Sequence, residues 1–159
     1  AVINASGANT LYRLFNGHFE NKKLRWDDGI PNFNLIQGLY DRMLEDESLK
    51  PKTKATAIQI GKPANITKGL RALDFTNGVV EEVTDTEMLD GMSVVGLNGF
   101  DCEMASGASV AGIKKLRDKE IIKKDDKVVG ILTGRQKEPL LPIDYHNDTA
   151  NRFARPPKN

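Results

Sequence analysis

Short apolar runs alternate along this chain with longer segments whose apolar residues recur at helical spacing. A run of about four to eight residues rich in Val, Ile and Leu and bounded by turn residues is typical of a strand. Four such runs predict strands, at 1–5, 55–60, 79–83 and 128–132. Because helical segments separate them, the pattern predicts an α/β fold with a mainly parallel sheet and flanking helices.

The clearest helix is predicted just after Asn34, which is a suitable N-cap. Its apolar positions fall on one face of a helix, at Leu35, Ile36, Leu39, Tyr40, Met43 and Leu44. An earlier helix is predicted to start after residues 6–10, which offer several helix caps, and to end at Asn16-Gly17 in a left-handed turn.

Three further helices are predicted in the second half of the chain. The first is capped by Asn65 or Thr67 and stopped by Asn77-Gly78. The second begins at a capping box formed by Thr84 and Glu87 and ends near 98–99. The third begins in the small-residue segment 106–112, which can pack closely against a neighbour. Their predicted core residues are Leu70, Leu73 and Phe75, then Leu89, Met92 and Val95, then Ile113 and Leu116.

The run from Val128 to Leu132 is the most informative of the predicted strands. It follows a charged pair and is almost continuously apolar, which is typical of a strand buried on both faces. Ligands of open α/β sheets bind just beyond the carboxyl ends of such strands, and Thr133-Gly134 occupies that place. A hydroxyl there can contact a ligand, and a glycine allows close approach. From the pattern alone, an ordinary junction between strand and loop is the simpler interpretation.

Composition narrows the class of protein. The 159 residues are 28% charged and 39% apolar, which is typical of a globular domain, and the formal net charge of +1 gives no electrostatic reason to expect a nucleic-acid partner. No apolar run approaches the roughly 20 residues of a membrane helix, and no secretory leader is apparent. The single Cys102 cannot form an internal disulfide, which favours a reducing cytoplasm.

Pattern alone does not yield a reaction. His18 and His146 lie in polar, loop-like surroundings and give no Ser-His-Asp arrangement, and Asp144, His146 and Asp148 are better explained as solvent-facing than as metal ligands. No Gly-rich dinucleotide motif or P-loop is present. Cys102 lacks a flanking base, which favours a buried structural thiol over a nucleophile. Ser106 and Ser109 could hold an anion at a helix start, although capping their own helix is the simpler role.

Several segments, in order and over nearly the whole chain, resemble one family, the threonine synthases. Residues 55–63, Ala-Thr-Ala-Ile-Gln-Ile-Gly-Lys-Pro, resemble its Ala-Thr-Ala-Ile-Arg-Ile-Gly-Asn-Pro segment. Residues 83–87 are similar to its Val-Thr-Asp-x-Glu helix start, and residues 102–112 to its Cys-Glu-Pro-Ala-Ser-x-Ala-Ser-x-Ala-Gly segment. Residues 129–134 resemble its Val-x-Leu-Thr-Gly strand end, and residues 4–8 its Ala-Glu-Gly-Ala turn.

The resemblance implies a tryptophan-synthase-β-like fold, also called fold type II, and pyridoxal 5'-phosphate as the cofactor. It implies an enzyme that converts O-phosphohomoserine and water into threonine and phosphate. In the family a threonine hydroxyl can donate to the unprotonated nitrogen of the cofactor's pyridine ring, and the matching residue is Thr133. Gly134, Glu103 and Ser106 are the further cofactor-binding residues that the resemblance implies.

The family's Schiff-base lysine and the Gly-rich loop for the cofactor phosphate belong to an earlier part of the enzyme. No lysine here stands in the family's lysine motif, and the chain opens on Ala1 as if inside a strand. We therefore expect residues 1–159 to be the C-terminal part of the large cofactor-binding domain, with no catalytic lysine of its own. We expect a helical insertion near 17–54 and an extended tail at 136–159. The expected partners are the substrate, the missing N-terminal half and a second copy of the chain.

Departures from the family pattern leave two alternatives open. Met104 replaces a proline, Gln59 replaces an arginine and Lys62 replaces an asparagine. One alternative is another fold type II enzyme with cysteate-synthase-like or dehydratase-like chemistry. The other is a non-catalytic interaction domain built on the same half-fold.

Overall fold

The computed structural model describes residues 1–19, 32–45 and 50–135. The chain divides into two compact units, Ala1–Thr84 and Asp85–Asn159. The predicted tail at 136–159 lies outside the described residues, as do positions 20–31 and 46–49 of the predicted insertion.

The first unit contains a two-stranded parallel sheet. Strand β1 (Val2–Ala5) pairs with strand β2 (Val80–Val83) in a register that places Val2 opposite Val80. Ala5 and Val83, which pair at the other end, are both fully buried. The strands predicted at 1–5 and 79–83 are confirmed, and so is their parallel arrangement in an α/β fold.

Helices surround this sheet within the first unit. Helix α1 (Thr10–Leu14) continues as a π-helical turn (Phe15–Phe19), and helices α2 (Phe33–Glu45) and α3 (Ile66–Phe75) follow. Short 3₁₀ turns lie at Ser6–Ala8 and Thr56–Ile58. The helices and β2 share one apolar core, formed by Leu14, Phe15, Ile36, Tyr40, Ile66, Leu70, Leu73 and Val80. The helical periodicity read from the sequence therefore identified the core faces of α2 and, through Leu70 and Leu73, of α3.

Helix α3 ends as the sequence predicts. Asn77 adopts a left-handed conformation with φ of 49°, and the N–H of Gly78 donates to the Leu73 carbonyl at 2.7 Å. This is the turn that Asn-Gly pairs favour at helix ends. The first helix ends differently, because the chain continues through Asn16-Gly17 into the π-helical turn. The predicted left-handed stop at Asn16-Gly17 is therefore wrong.

The strand predicted at 55–60 is wrong. The segment instead forms the 3₁₀ turn Thr56–Ile58, in which the Ile58 N–H donates to Ala55 and the Gln59 N–H donates to Thr56. Ile60 is half exposed. A short alternating run becomes a strand only when a neighbouring strand accepts its backbone hydrogen bonds, and here the bonds close locally. The prediction that Phe75 is a core residue of α3 is also wrong, because its side chain is 92% exposed.

Two helices, α4 (Asp85–Leu97) and α5 (Met104–Asp118), pack against each other in the second unit. Helix α4 begins directly after Thr84 and is followed by Gly99 with φ of 82°, as predicted. Of the predicted core residues, Leu89, Met92, Val95 and Leu116 are buried, whereas Ile113 is half-buried. A Cβ atom on Gly91 would collide with the Gly107 carbonyl oxygen, so the small residues allow the helices to approach closely.

The segment 128–132 forms no strand, contrary to the prediction. Val129 is 88% exposed and Ile131 is 68% exposed, so the segment is not buried on both faces. Its apolar sequence is that of a buried strand, but no strand pairs with it in the part of the second unit that the structure describes. An apolar pattern indicates residues that favour burial, whereas the formation of a strand also requires a hydrogen-bonded neighbouring strand.

Candidate functional site

Four residues predicted from the sequence to form one site lie together in the second unit. Glu103 is the N-cap residue of α5, and Ser106 lies in the first turn of that helix. Thr133 and Gly134 follow the apolar segment 128–132. Hydrogen bonds connect Ser106 with Thr133, although more than 25 residues separate the two along the chain.

Ser106 is the buried centre of the cluster, with 1% of its surface exposed. Its hydroxyl oxygen accepts the backbone N–H of Thr133 at 2.9 Å and that of Gly134 at 3.3 Å. A serine hydroxyl offers two lone pairs and one proton. Both lone pairs are therefore occupied, and the 133–134 turn is tied to the first turn of α5.

The Thr133 hydroxyl is the exposed group of the cluster. Its Oγ1 donates to Glu103 Oε1 at 3.1 Å and lies 3.2 Å from Ser106 Oγ. Because Ser106 already accepts two N–H groups, its remaining proton is directed to Thr133 Oγ1 or to the Gly134 carbonyl, 3.4 Å away. The hydroxyl of Thr133 is thus held by two side chains of α5 while its surface faces solvent.

Glu103 and Gly134 approach each other closely. The Glu103 N–H donates to the Gly134 carbonyl at 3.0 Å. A Cβ atom on Gly134 would lie 2.8 Å from Glu103 Oε1, a distance that real Cβ atoms essentially never show. Only a glycine at position 134 leaves the carboxylate where it contacts Thr133. The glycine that the pattern associated with close approach therefore admits a neighbouring side chain of the same chain.

Cys102 directly precedes Glu103 in the chain and has the environment of a structural thiol. Its side chain is buried, and burial raises the pKa of the thiol. The negative charges of Asp101 and Glu103 raise that pKa further. A thiol with a raised pKa is a poor nucleophile at neutral pH, so the structure agrees with the prediction of a buried structural thiol.

The other candidate groups do not join the cluster. Ser109 is half-buried one turn further along α5. Lys114 pairs with Asp118 at 2.9 Å and Lys115 lies 3.7 Å from Glu87, so the basic run of α5 forms ion pairs at the helix surface. Among the described residues, no three His, Cys, Asp or Glu side chains are grouped as metal ligands. His146 and its acidic neighbours lie outside those residues.

Sequence reasoning named the members of the cluster but missed how they are connected. Ser106 was expected to cap its own helix or to bind the cofactor, and in the structure its hydroxyl accepts hydrogen bonds from the 133–134 turn. Glu103 stands at the N-cap but makes no side-chain cap hydrogen bond. No local signal identifies these roles, because each depends on a contact between distant segments.

Comparison with known proteins identifies the family. Residues 5–134 match the family described as "Pyridoxal-phosphate dependent enzyme". The match covers most of the chain, including β2, α4, α5 and the four clustered residues. This chain therefore belongs to the pyridoxal-phosphate-dependent enzymes, and the resemblance noted in the sequence is confirmed at the level of the family, its fold and its cofactor.

Curated relatives refine this comparison. A threonine synthase of Methanosarcina acetivorans is 47% identical over 157 residues, covering 90% of this chain and 38% of that protein. A threonine synthase of Synechocystis is 44% identical over 158 residues, covering 97% of this chain and 41% of that protein. Threonine synthase 2, chloroplastic, of Arabidopsis thaliana is 28% identical and covers 98% of this chain and 33% of that protein. The chain thus spans about two fifths or less of the length of these relatives.

None of the helices in the described parts of the chain has the length and apolar character needed to cross a membrane.

Proposed function

We propose that this chain is the C-terminal part of a pyridoxal-phosphate-dependent threonine synthase. The substrate would be O-phosphohomoserine, which reacts with water to give threonine and phosphate. The observation that carries the proposal is identity of 44–47% to two proteins named threonine synthase, over at least 90% of this chain. The clustering of Glu103, Ser106, Thr133 and Gly134 supports a cofactor contact at the end of the 128–132 segment.

The residues of the cluster fit one end of the cofactor. The pyridine nitrogen needs a polar partner on the protein, and the Thr133 hydroxyl is exposed and held in place by Ser106. We propose that Thr133 contacts that nitrogen, that Ser106 orients Thr133, and that Gly134 and Glu103 complete the site. The cofactor, when bound, withdraws electrons from the reacting carbon of the substrate.

We further propose that the Schiff-base lysine and the cofactor-phosphate loop come from residues outside this chain, in an N-terminal half that is its partner. This proposal draws on the share of the relatives that the chain covers, at most 41% in the three described above. Within residues 1–159, we propose that 17–54 is an insertion and 136–159 an extended tail of the large domain. A single buried thiol supports a reducing compartment, and we propose the cytoplasm.

A phosphate-release assay tests the reaction. The full-length protein that carries these residues, loaded with cofactor, should release phosphate from O-phosphohomoserine and form threonine in equal amounts. Thr133→Val should lower kcat without abolishing cofactor binding, because the lysine and the phosphate loop remain. Formation of a keto acid and ammonia from a β-hydroxy amino acid such as serine, with no phosphate released from O-phosphohomoserine, would instead indicate a dehydratase-like enzyme, and no reaction with either substrate would leave a non-catalytic domain.

A spectroscopic assay tests the location of the lysine. The isolated 159-residue chain mixed with pyridoxal phosphate should not develop the absorbance band of a lysine-bound cofactor. Appearance of that band would contradict the proposal that the lysine lies outside the chain.

A further inference from the structure

The segment 50–73 carries charge of one sign only. It contains six Lys or Arg residues and no Asp or Glu, in a chain whose formal net charge is +1. The basic run of α5 differs, because Lys114 and Lys115 form ion pairs with acidic residues. A group of like charges without neighbouring counter-charges creates a local potential that concentrates ions of the opposite sign. The segment is therefore a candidate for binding an anion.

Two lysines of this segment, Lys52 and Lys62, are held at the end of β1. The backbone N–H of Lys52 donates to the Gly7 carbonyl at 2.7 Å. The Thr10 hydroxyl donates to the carbonyl of Gly61, the residue before Lys62, at 2.8 Å. Both hydrogen bonds are made with the turn and the helix start that follow β1, so both lysines lie at the carboxyl end of that strand.

Contacts of Pro51 set the spacing of these two lysines. A Cβ atom on Gly61 would lie 2.8 Å from Pro51 Cδ, so a glycine is what lets the two segments pack this closely. The Gln59 side chain donates through Nε2 to the Pro51 carbonyl at 2.9 Å. Because Lys52 follows Pro51 and Lys62 follows Gly61, the two lysine side chains start from neighbouring backbone positions.

Positive charge is in excess at this edge of the sheet. The side chains of Lys52 and Lys62 are exposed, and neither forms an ion pair within the described part of the chain. Glu82, at the same end of β2, accepts the side-chain N–H of Asn9 at 2.6 Å, and Arg13 donates to Asn9 at 2.9 Å. Ligands of parallel sheets bind beyond the carboxyl ends of the strands, which is where these lysines lie.

We propose that Lys52 and Lys62 form an anion-binding surface at this edge of the sheet, which takes the phosphate group of a small molecule. An ammonium group donates up to three hydrogen bonds, and its charge-assisted bonds to phosphate oxygens are short and strong. The net charge of +1 gives no general attraction to a long polyanion, which favours a small ligand. The inference rests on the proposed function only for the identity of the ligand, for which O-phosphohomoserine and its product phosphate are the candidates.

Lysine acetylation followed by mass spectrometry tests the surface one residue at a time. The full-length protein, loaded with cofactor, is labelled in inorganic phosphate or in sodium chloride of equal ionic strength, so that screening is the same. Phosphate should slow the acetylation of Lys52 and Lys62, by about twofold when its concentration equals the Kd. Lys124, an exposed lysine followed by two aspartates, is the control and should react equally in both salts. Equal rates in the two salts at Lys52 and Lys62 would overturn the inference.

Lys52→Gln separates one shared surface from two independent lysines. The side chain is exposed and the contact with Gly7 is made by the backbone, so the variant should keep the fold. It should remove the protection of Lys62 by phosphate, and Lys62→Gln should remove that of Lys52. Lys124→Gln is the matched control and should leave both protections unchanged. Protection of Lys62 that persists in Lys52→Gln would contradict a shared surface.

The choice of ligand distinguishes this inference from the proposed function. In the cofactor-free, full-length protein, which cannot convert the substrate, O-phosphohomoserine should protect both lysines and homoserine should not. Protection by phosphate but not by O-phosphohomoserine would assign the surface to the product. Equal protection by homoserine, or protection by a DNA duplex but by neither phosphate compound, would overturn the inference.

Activity measured in parallel separates the two failures. Protection by phosphate in a cofactor-loaded protein that does not convert O-phosphohomoserine would count against the proposed function and leave the anion-binding surface established. Conversion of O-phosphohomoserine without protection of either lysine would overturn the surface and leave the proposed function intact.

Discussion

The Ser106 hydroxyl accepts hydrogen bonds from the backbone N–H groups of Thr133 and Gly134, which lie more than 25 residues further along the chain. Those N–H groups belong to a segment without strand partners, so they depend on Ser106 for their hydrogen bonds. The residue therefore contributes to the stability of the site as well as to its geometry.

Ser106→Ala should destabilise the protein by about 1–3 kcal/mol, because it leaves the Thr133 and Gly134 N–H groups without their acceptor in a partly buried place. Chemical denaturation followed by circular dichroism measures the loss. Ser109→Ala, one turn further along α5 and half-buried, is the control and should change stability by less than about 0.5 kcal/mol. Equal losses in the two variants would contradict the role given to Ser106.

At the residue scale, the sequence predicted which side chains form the site but not which way their protons point. Thr133 and Gly134 could be named because they end an apolar run. The partnership of Glu103 with Thr133 could not be read from the sequence alone, since the two residues are 30 positions apart along the chain. The direction of each hydrogen bond depends on all four residues of the cluster, and it can be assigned only once their positions in the structure are known.

Helices α4 and α5 owe their close packing to two facing glycines. A Cβ atom on Gly91 would collide with the Gly107 carbonyl oxygen, and one on Gly107 would collide with the Met88 carbonyl oxygen. Both obstacles are backbone atoms, which cannot rotate away. The position of α5, and with it Glu103 and Ser106, therefore depends on this crossing.

Gly91→Ala should destabilise the second unit by about 1–3 kcal/mol, because the helices must separate to admit the methyl group. Gly96→Ala is the matched control on the same helix. Nothing lies within 4 Å of a Cβ at position 96, so this change should stabilise α4 by about 0.5–1 kcal/mol through its better helix propensity. Thermal unfolding of both variants decides the matter, and a stabilised Gly91→Ala would refute the packing argument.

At the element scale, the sequence predicted the parts whose structure is determined locally. Helices α2 to α5 and the stop at Asn77 follow from periodicity and turn chemistry, which act within a few residues. The runs 55–60 and 128–132 have the composition of strands, yet neither is one here. Whether such a run pairs depends on distant segments, and a single sequence does not record them.

The molecule as a whole exposes apolar side chains in the 128–132 segment. Val129 and Ile131 are mostly exposed, and the backbone of the segment is free of secondary structure. Exposed apolar segments with unpaired backbone groups favour pairing with another chain. In the proposed threonine synthase, the remaining part of the enzyme would cover them.

The 159-residue chain in isolation should therefore self-associate, which light scattering measures. Replacing both Val129 and Ile131 by lysine should reduce the association, because it places two charges on the exposed segment. Phe75→Lys, at the end of α3 in the first unit, removes an equally exposed apolar side chain and should leave the association unchanged. A monomer at all concentrations in the unsubstituted chain would contradict the prediction.

The Glu103–Ser106–Thr133–Gly134 cluster lies within one unbroken stretch of chain, residues 103–134, that belongs entirely to the second unit. Genetic recombination between related enzymes would therefore pass on the whole hydrogen-bond arrangement whenever both crossover points fall outside that stretch. A crossover inside it would join a helix start from one parent to a turn from the other. Chimeric enzymes should tolerate the first kind of exchange and lose the hydrogen bonds of the cluster in the second wherever the parents differ at these four positions.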